Sequence, residues 1–287
     1  MVHFLFFIII QWNPPCCPFG YNSPMRRFLY IGVFSAGLAT MAVELSASRL
    51  LGNYFGSSNL VWAAIIGLIL IYLSIGYSLG GKWADRSPNL STFFMILLWA
   101  GLFIGIIPVV SRPILRFASS AFDQLQGGSM IASFASVLVL FSIPITLLGT
   151  ASPFAVRLAL QDNSEAGRIA GKIYTISTIG SFIGTFLPVL LLIPLIGTYR
   201  TFIGISLFIL TIGLIGMVVA GTIQSMLKYI WMPIVVILLA IAGLKGYDKN
   251  AQGIIFEGES AYNYIQVQNI KGRSEERRVG KECRSRW

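Results

Sequence analysis

Leu60 to Gly81 is a run of 22 residues without a single charge. At ~1.5 Å rise per residue, a helix of that length spans the ~30 Å hydrocarbon core of a bilayer. The run sits inside Met41 to Asn89, MAVELSASRLLGNYFGSSNLVWAAIIGLILIYLSIGYSLGGKWADRSPN. This stretch holds the end of one apolar helix, a short polar turn, a second apolar helix and a charged loop. The preceding helix, Phe28 to Leu50, is equally apolar except for Glu44 and Arg49. Ionisable groups inside a membrane-length helix are costly and call for a reason.

The rest of the chain has the same texture. It is 55% hydrophobic and 11% charged over 287 residues, where a soluble domain carries about 25% charged residues. The formal charge of +10 points to loops facing anionic lipid, and no basic-aromatic patch suggests nucleic acid. Seven membrane-length segments are expected: Phe28–Leu50, Leu60–Gly81, Ser91–Val110, Met130–Gly149, Ile173–Ile196, Thr201–Gly221 and Met226–Leu244. The expected fold is an all-α polytopic bundle in the bilayer, about seven helices, followed by a truncated β-strand segment. Glycines spaced by four, Gly76/Gly80, Gly101/Gly105 and Gly180/Gly184, mark faces where two helix backbones can approach closely. Ser111–Ser129 reads as an interfacial amphipathic segment and Ala151–Lys172 as a polar connection.

Both ends read differently from the middle. Residues 1–24 are a doubtful leader: Phe4–Ile10 is too short to span, and Met25-Arg26-Arg27 is a more natural start. Residues 273–287, RSEERRVGKECRSRW, match the translation of a sequencing adapter. Residues 25–246 are then the helical domain, and 247–272 a linker with strand-forming Tyr262, Tyr264, Ile265 and Val267. No cysteine or histidine falls between Met25 and Gly272, so thiolate or imidazole metal sites and histidine-based triads are not expected there.

With Arg26 and Arg27 placed on the cytoplasmic side, that side collects Lys82, Arg86, Arg157, Arg168, Lys172 and Lys228. The other side collects Arg112, Arg116, Arg200, Lys245 and Lys249. The bias favours a cytoplasmic N-terminus. Seven crossings would put everything after Leu244 outside.

Four strings then carry a resemblance. They are VELSASRLLGNYFGSSNLVWAAIIGLIL, GYSLGGKWADRSPN, PITLLGTASPFAVRLA and GKIYTISTIGSFIGTFLPVLLLIPLIGTYRT. In this order they resemble the membrane domain of membrane-fused spermidine synthase-like proteins, and FEGESAYNYIQV resembles the opening strand of polyamine aminopropyltransferases. The resemblance implies a parent enzyme whose downstream domain binds decarboxylated S-adenosylmethionine as co-substrate and an amine acceptor. It implies no catalytic residue in this chain. Tyr262 and Asn263 would form an edge of the substrate pocket, with Asn263 standing where many soluble relatives have Gln.

Two other groups of residues stand apart. Glu44 reads either as a counter-charge for a cationic polyamine or as half of an interhelical pair. Arg49, nearer the helix end, reads as an anchor that snorkels to the interface. Asp85 and Arg86, after Gly80-Gly81-Lys82, resemble the loop between the second and third helices of major-facilitator transporters, or form a simple solvated loop. A small-cation or polyamine transporter or sensor is therefore the rival to a membrane anchor.

Overall fold

A computed structural model describes the backbone of residues 23–56, 58–122, 128–160, 166–221, 223–243, 254–259, 264–270 and 273–279. Among these, six helices are long and apolar enough to cross a bilayer. They are α1 (Ser23–Phe55), α2 (Asn59–Arg86), α3 (Leu90–Phe122), the pair α4 (Gly128–Gly149) and α5 (Ala151–Ala159), α6 (Ala166–Leu187) and α8 (Thr198–Ala220). The chain is a multi-pass membrane protein. A π-helical turn, Pro188–Leu192, and the short α7 (Ile193–Ile196) extend α6.

The helix joints follow their local chemistry. Ser58 caps α2 by accepting a hydrogen bond from the Val61 amide at 3.3 Å. Gly197 adopts φ +83°, a left-handed conformation that glycine enters without penalty, so α7 and α8 are joined by one residue. Thr150 joins α4 to α5 while staying near helical geometry, and its hydroxyl donates to the Leu147 carbonyl at 2.7 Å.

Three expectations need correction. The expected segment Ser111–Ser129 is not one separate piece: 111–122 continue α3 through Pro108 and Pro113, Gly128 begins α4, and 123–127 lie outside the described residues. Arg112 finds a place at the end of the bundle, 4.6 Å over the Tyr199 ring. The Ala151–Lys172 stretch is not a polar loop: α5 buries Phe154, Ala155 and Leu158, and α6 already begins at Ala166. The seventh span is broken. A short α9 (Ile223–Leu227) is followed by a turn at Lys228-Tyr229-Ile230 and then α10 (Trp231–Gly243), which is 13 residues. At ~1.5 Å per residue, the described part of α10 is ~20 Å long.

The packing nevertheless shows where α10 goes. Trp231 stacks edge-on to Trp99 with centroids 6.5 Å apart, and Val236 lies against Gly105. The two helices therefore run parallel, and α10 starts about ten residues into α3. Continued in the same register, Gly243 reaches the level of Arg112. Together α9, the turn and α10 carry the chain from the end holding Ala220 to the end holding Arg112.

Two ends of the bundle are thus distinguished. Lys172 sits 4.6 Å over the Tyr30 ring, which ties the start of α6 to the start of α1. Asp85 pairs with Arg157 at that end. Arg112 and Tyr199 mark the other.

The core centres on α3, of which Phe93, Phe94, Leu97, Leu98 and Ile104 are fully or almost fully buried. Beyond Gly243, three strands form an antiparallel sheet: β1 (Ile254–Glu259), β2 (Tyr264–Ile270) and β3 (Arg273–Val279). The third strand is made of the adapter-like residues. Antiparallel pairing needs only extended backbone, so the sheet by itself assigns no domain.

Candidate functional site

The sequence picks out Glu44, Arg49, Asp85, Arg86, Tyr262 and Asn263. Tyr262 and Asn263 lie outside the described residues. Asp85 and Arg86 are the last two residues of α2, not a loop. Asp85 is paired: the Arg157 Nε donates to its Oδ1 at 3.0 Å, across 72 residues of sequence. Both side chains are more than half exposed, so screening keeps the pair weak. Its effect is to pin the end of α2 to α5.

Glu44 and Arg49 both sit half-buried in α1. Glu44 has no hydrogen bond or ion pair among the described residues, whereas Arg49 has an interaction of its own. The two do not form a pair with each other.

The structure adds a site that was not read from the sequence. A cavity of about 70 Å³ lies where α1, α2, α4, α5 and α6 converge. Its polar lining is Thr40, Tyr77, Ser152, Ser177 and Ser181, with the backbones of Gly37 and Gly149. All four positions lie inside their spans: Thr40 and Ser177 near the middle of Met25–Phe55 and Ala166–Ile196, Tyr77 and Ser152 nearer the Arg86 and Ala159 ends of Asn59–Arg86 and Ile131–Ala159. Polar groups at that depth are costly unless satisfied.

Small residues create this cavity. A Cβ on Gly37 would run into the Ser177 carbonyl, and one on Gly184 into the Leu38 carbonyl. A Cβ on Gly180 would meet the Phe34 carbonyl. On the other side, Gly76 lies against the Thr146 carbonyl and Gly149, and Gly80 against Thr150. These contacts draw α6 onto α1 and α2 onto α4, leaving a polar gap between the two seams. The hydroxyls are held in place: Thr40 donates to the Ala36 carbonyl at 2.8 Å, Ser181 to the Gly37 carbonyl at 3.2 Å, and Ser152 to Ser177 Oγ at 3.4 Å.

Sequence reasoning found Ser177 and Ser181 only as small residues beside Gly180 and Gly184. It had no signal for Thr40, Tyr77 or Ser152, because convergence of five helices cannot be read from spacing along one. The available hint was a Gly149-Thr150-Ala151-Ser152-Pro153 string inside an otherwise apolar span. Among the described residues no cluster of acidic, histidine or cysteine side chains could hold a metal ion.

No family model, curated protein or solved structure matches the chain.

Proposed function

We propose that this chain is the membrane domain of a spermidine synthase-like aminopropyltransferase, inserted in the cell membrane, and that it holds a downstream catalytic domain at the bilayer surface. One observation carries the reading. The four strings that resemble the family are also the strings that build the bundle's tightest joints. GYSLGGKWADRSPN supplies Gly76, Gly80 and Asp85; PITLLGTASPFAVRLA supplies Gly149, Ser152 and Arg157; GKIYTISTIGSFIGTFLPVLLLIPLIGTYRT supplies Ser177, Gly180, Gly184 and the π-helical turn; VELSASRLL supplies the end of α1. A resemblance that falls on close-approach glycines and a cross-helix ion pair is more specific than shared apolar composition.

In this reading the strand segment around FEGESAYNYIQV opens the synthase domain, and Tyr262 and Asn263 edge its pocket. The parent reaction is attack by a neutral primary amine on the aminopropyl carbon next to the sulfonium of decarboxylated S-adenosylmethionine. The C–N bond forms as the C–S bond breaks, the thioether departs, and the ammonium product loses a proton to a carboxylate or solvent. All of that chemistry belongs to the downstream domain; the helical chain alone transfers nothing.

Reading the genomic DNA onward from Lys271 tests this. The expected continuation is a second strand and a glycine-rich strand–helix unit for a nucleoside. A stop codon there overturns the proposal.

A second reading, a transporter or sensor of small cations or polyamines, is favoured by the cavity inside the spans and by Glu44, which has no partner among the described residues. Uptake of a labelled polyamine into proteoliposomes, abolished by Glu44→Gln, supports it. No uptake above empty liposomes, or uptake unchanged in the variant, removes it.

A further inference from the structure

We propose that the cavity at the junction of α1, α2, α4, α5 and α6 binds one small monovalent cationic group, either an alkali metal ion or a primary ammonium head. This binding rests on the same cavity and Glu44 as the second reading above and deepens it, but it does not require that anything cross the membrane or that a synthase domain follow.

The chemistry of the lining carries the inference. A hydroxyl has one proton and two lone pairs. Thr40, Ser152 and Ser181 each spend that proton inside the protein, on Ala36, Ser177 and Gly37 respectively. What these three oxygens can still offer is lone pairs. Three acceptors converging on one gap suit a partner that brings positive charge, or several protons, and no acceptor of its own. An anion would meet only one donor hydroxyl to spare on each of Ser177 and Tyr77 and no positive charge, since the lining contains no Lys or Arg.

Size narrows the class. The space, about 70 Å³, is more than one water needs and admits a dehydrated alkali ion with water, or an –NH₃⁺ head.

Charge supplies the last element. A cation held inside the spans needs compensation, because the low dielectric leaves its charge unscreened. Glu44 is placed to give it. At ~100° per residue, Glu44 falls within about 20° of Gly37 around α1, between the directions of Thr40 and Met41; Gly37, Thr40 and Met41 all line the cavity. Glu44 is one turn beyond Thr40 on that face, roughly 6 Å along the axis. It has no other partner among the described residues. The approach is lateral, between α2 and α6, where Tyr77 and Tyr174 stand about half exposed.

Thermal unfolding of the purified full chain in detergent tests the proposal. The salts are sodium, potassium, methylammonium and tetramethylammonium chloride at equal ionic strength. Tetramethylammonium carries the charge but has no N–H and is too bulky. The expected result is a Tm raised by about 3 °C or more in at least one of the first three salts over tetramethylammonium. Both Glu44→Gln and Ser181→Ala should erase that increment while keeping their own Tm in tetramethylammonium. A shift confined to sodium or potassium identifies a metal ion, and one confined to methylammonium identifies an ammonium head. Equal Tm in all four salts overturns the proposal, as does a shift that survives in both variants. If Ser181→Ala does not fold, Thr40→Val removes a different acceptor oxygen and carries the same test.

Discussion

The α1–α6 seam and the α3–α8 seam both use glycine, for opposite purposes. Along α1–α6, backbone meets backbone: Gly37 lies on Ser177, Gly180 on Phe34, and Gly184 on Leu38, with Ser181 donating to the Gly37 carbonyl. Along α3–α8, glycine is a notch for a side chain. The Phe94 ring fills the space over Gly216, Leu98 that over Gly213, and Leu210 that over Gly101. Ser206 enters at Gly105 and donates to the Gly101 carbonyl at 2.6 Å. The outcome differs accordingly. The α3 span is 72% buried, whereas the α6 span is 22% buried and borders the polar cavity. One seam is the bundle's core. The other is a narrow polar contact on a helix whose remaining faces, with Phe182, Leu190 and Leu195 exposed, belong to lipid.

The largest effect that would break this contrast is at Gly184. Alanine has the better helix propensity by roughly 1 kcal/mol, so a neutral site would gain. Here the added Cβ meets the Leu38 backbone, which has no rotamer to yield. Gly184→Ala should therefore destabilise by about 3 kcal/mol, read from reversible unfolding in mixed detergent. Gly67, with nothing near its missing Cβ, is the control: Gly67→Ala should be neutral or stabilising. A stabilised Gly184→Ala would mean that α1 and α6 are not in backbone contact.

At Gly216 the obstacle is a side chain, and the expected loss is about 2 kcal/mol. The distinguishing result is rescue. Phe94→Leu should relieve Gly216→Ala, leaving the double variant about 1 kcal/mol better than the sum of the singles. No single side-chain change should do the same for Gly184→Ala. Strict additivity at Gly216 and Phe94 would erase the difference between the two seams.

Parts of this arrangement are legible in the sequence and parts are not, for physical reasons. Charge-free runs such as Leu60–Gly81 announce a span, because nothing but lipid or a protein interior tolerates them. The GxxxG pairs announce close approach, and all six of their glycines sit at helix contacts. Spacing cannot say whether the neighbour will be backbone or side chain, since that depends on the partner helix's own residues. Segment ends misled for a related reason. Pro108, Arg112, Pro113 and Arg116 carry the local signals of a helix stop, yet α3 continues through them. The Ser111 hydroxyl turns back to the Pro108 carbonyl at 3.3 Å and Arg112 rests on Tyr199, a partner supplied from 87 residues away. Conversely, Met226–Leu244 reads as the weakest span because Lys228 sits in its first turn, and the structure puts a turn at that residue. The cavity was the least legible feature, because its five polar side chains are unremarkable singly and meaningful only together.

A smaller effect separates the polar contacts of the two seams. Ser206 is fully buried and its hydrogen bond to Gly101 is short. Interhelical hydrogen bonds of this kind contribute about 0.6 kcal/mol on average and up to ~1.7, so Ser206→Ala should cost about 1 kcal/mol. Ser181→Ala, at a longer and half-buried bond, should cost less, with its main consequence in the salt dependence of Tm. Equal losses for the two would argue against a core seam and a binding seam with different demands.

The smallest expected effect is at Asp85 and Arg157. The pair joins the end of α2 to α5, below the cavity, and both partners are exposed. Exposed ion pairs contribute roughly 0–1 kcal/mol because water screens them and two long side chains must be ordered. A double-mutant cycle of Asp85→Asn and Arg157→Gln should give a coupling below about 1 kcal/mol that shrinks as salt is raised. That pattern would place the pair outside the bundle's energetics, as a latch on helix ends rather than a strut. A coupling above ~2 kcal/mol, insensitive to salt, would require that lipid or a following domain bury the pair, and the α2–α5 end would then be part of an interface rather than a free surface of the bundle.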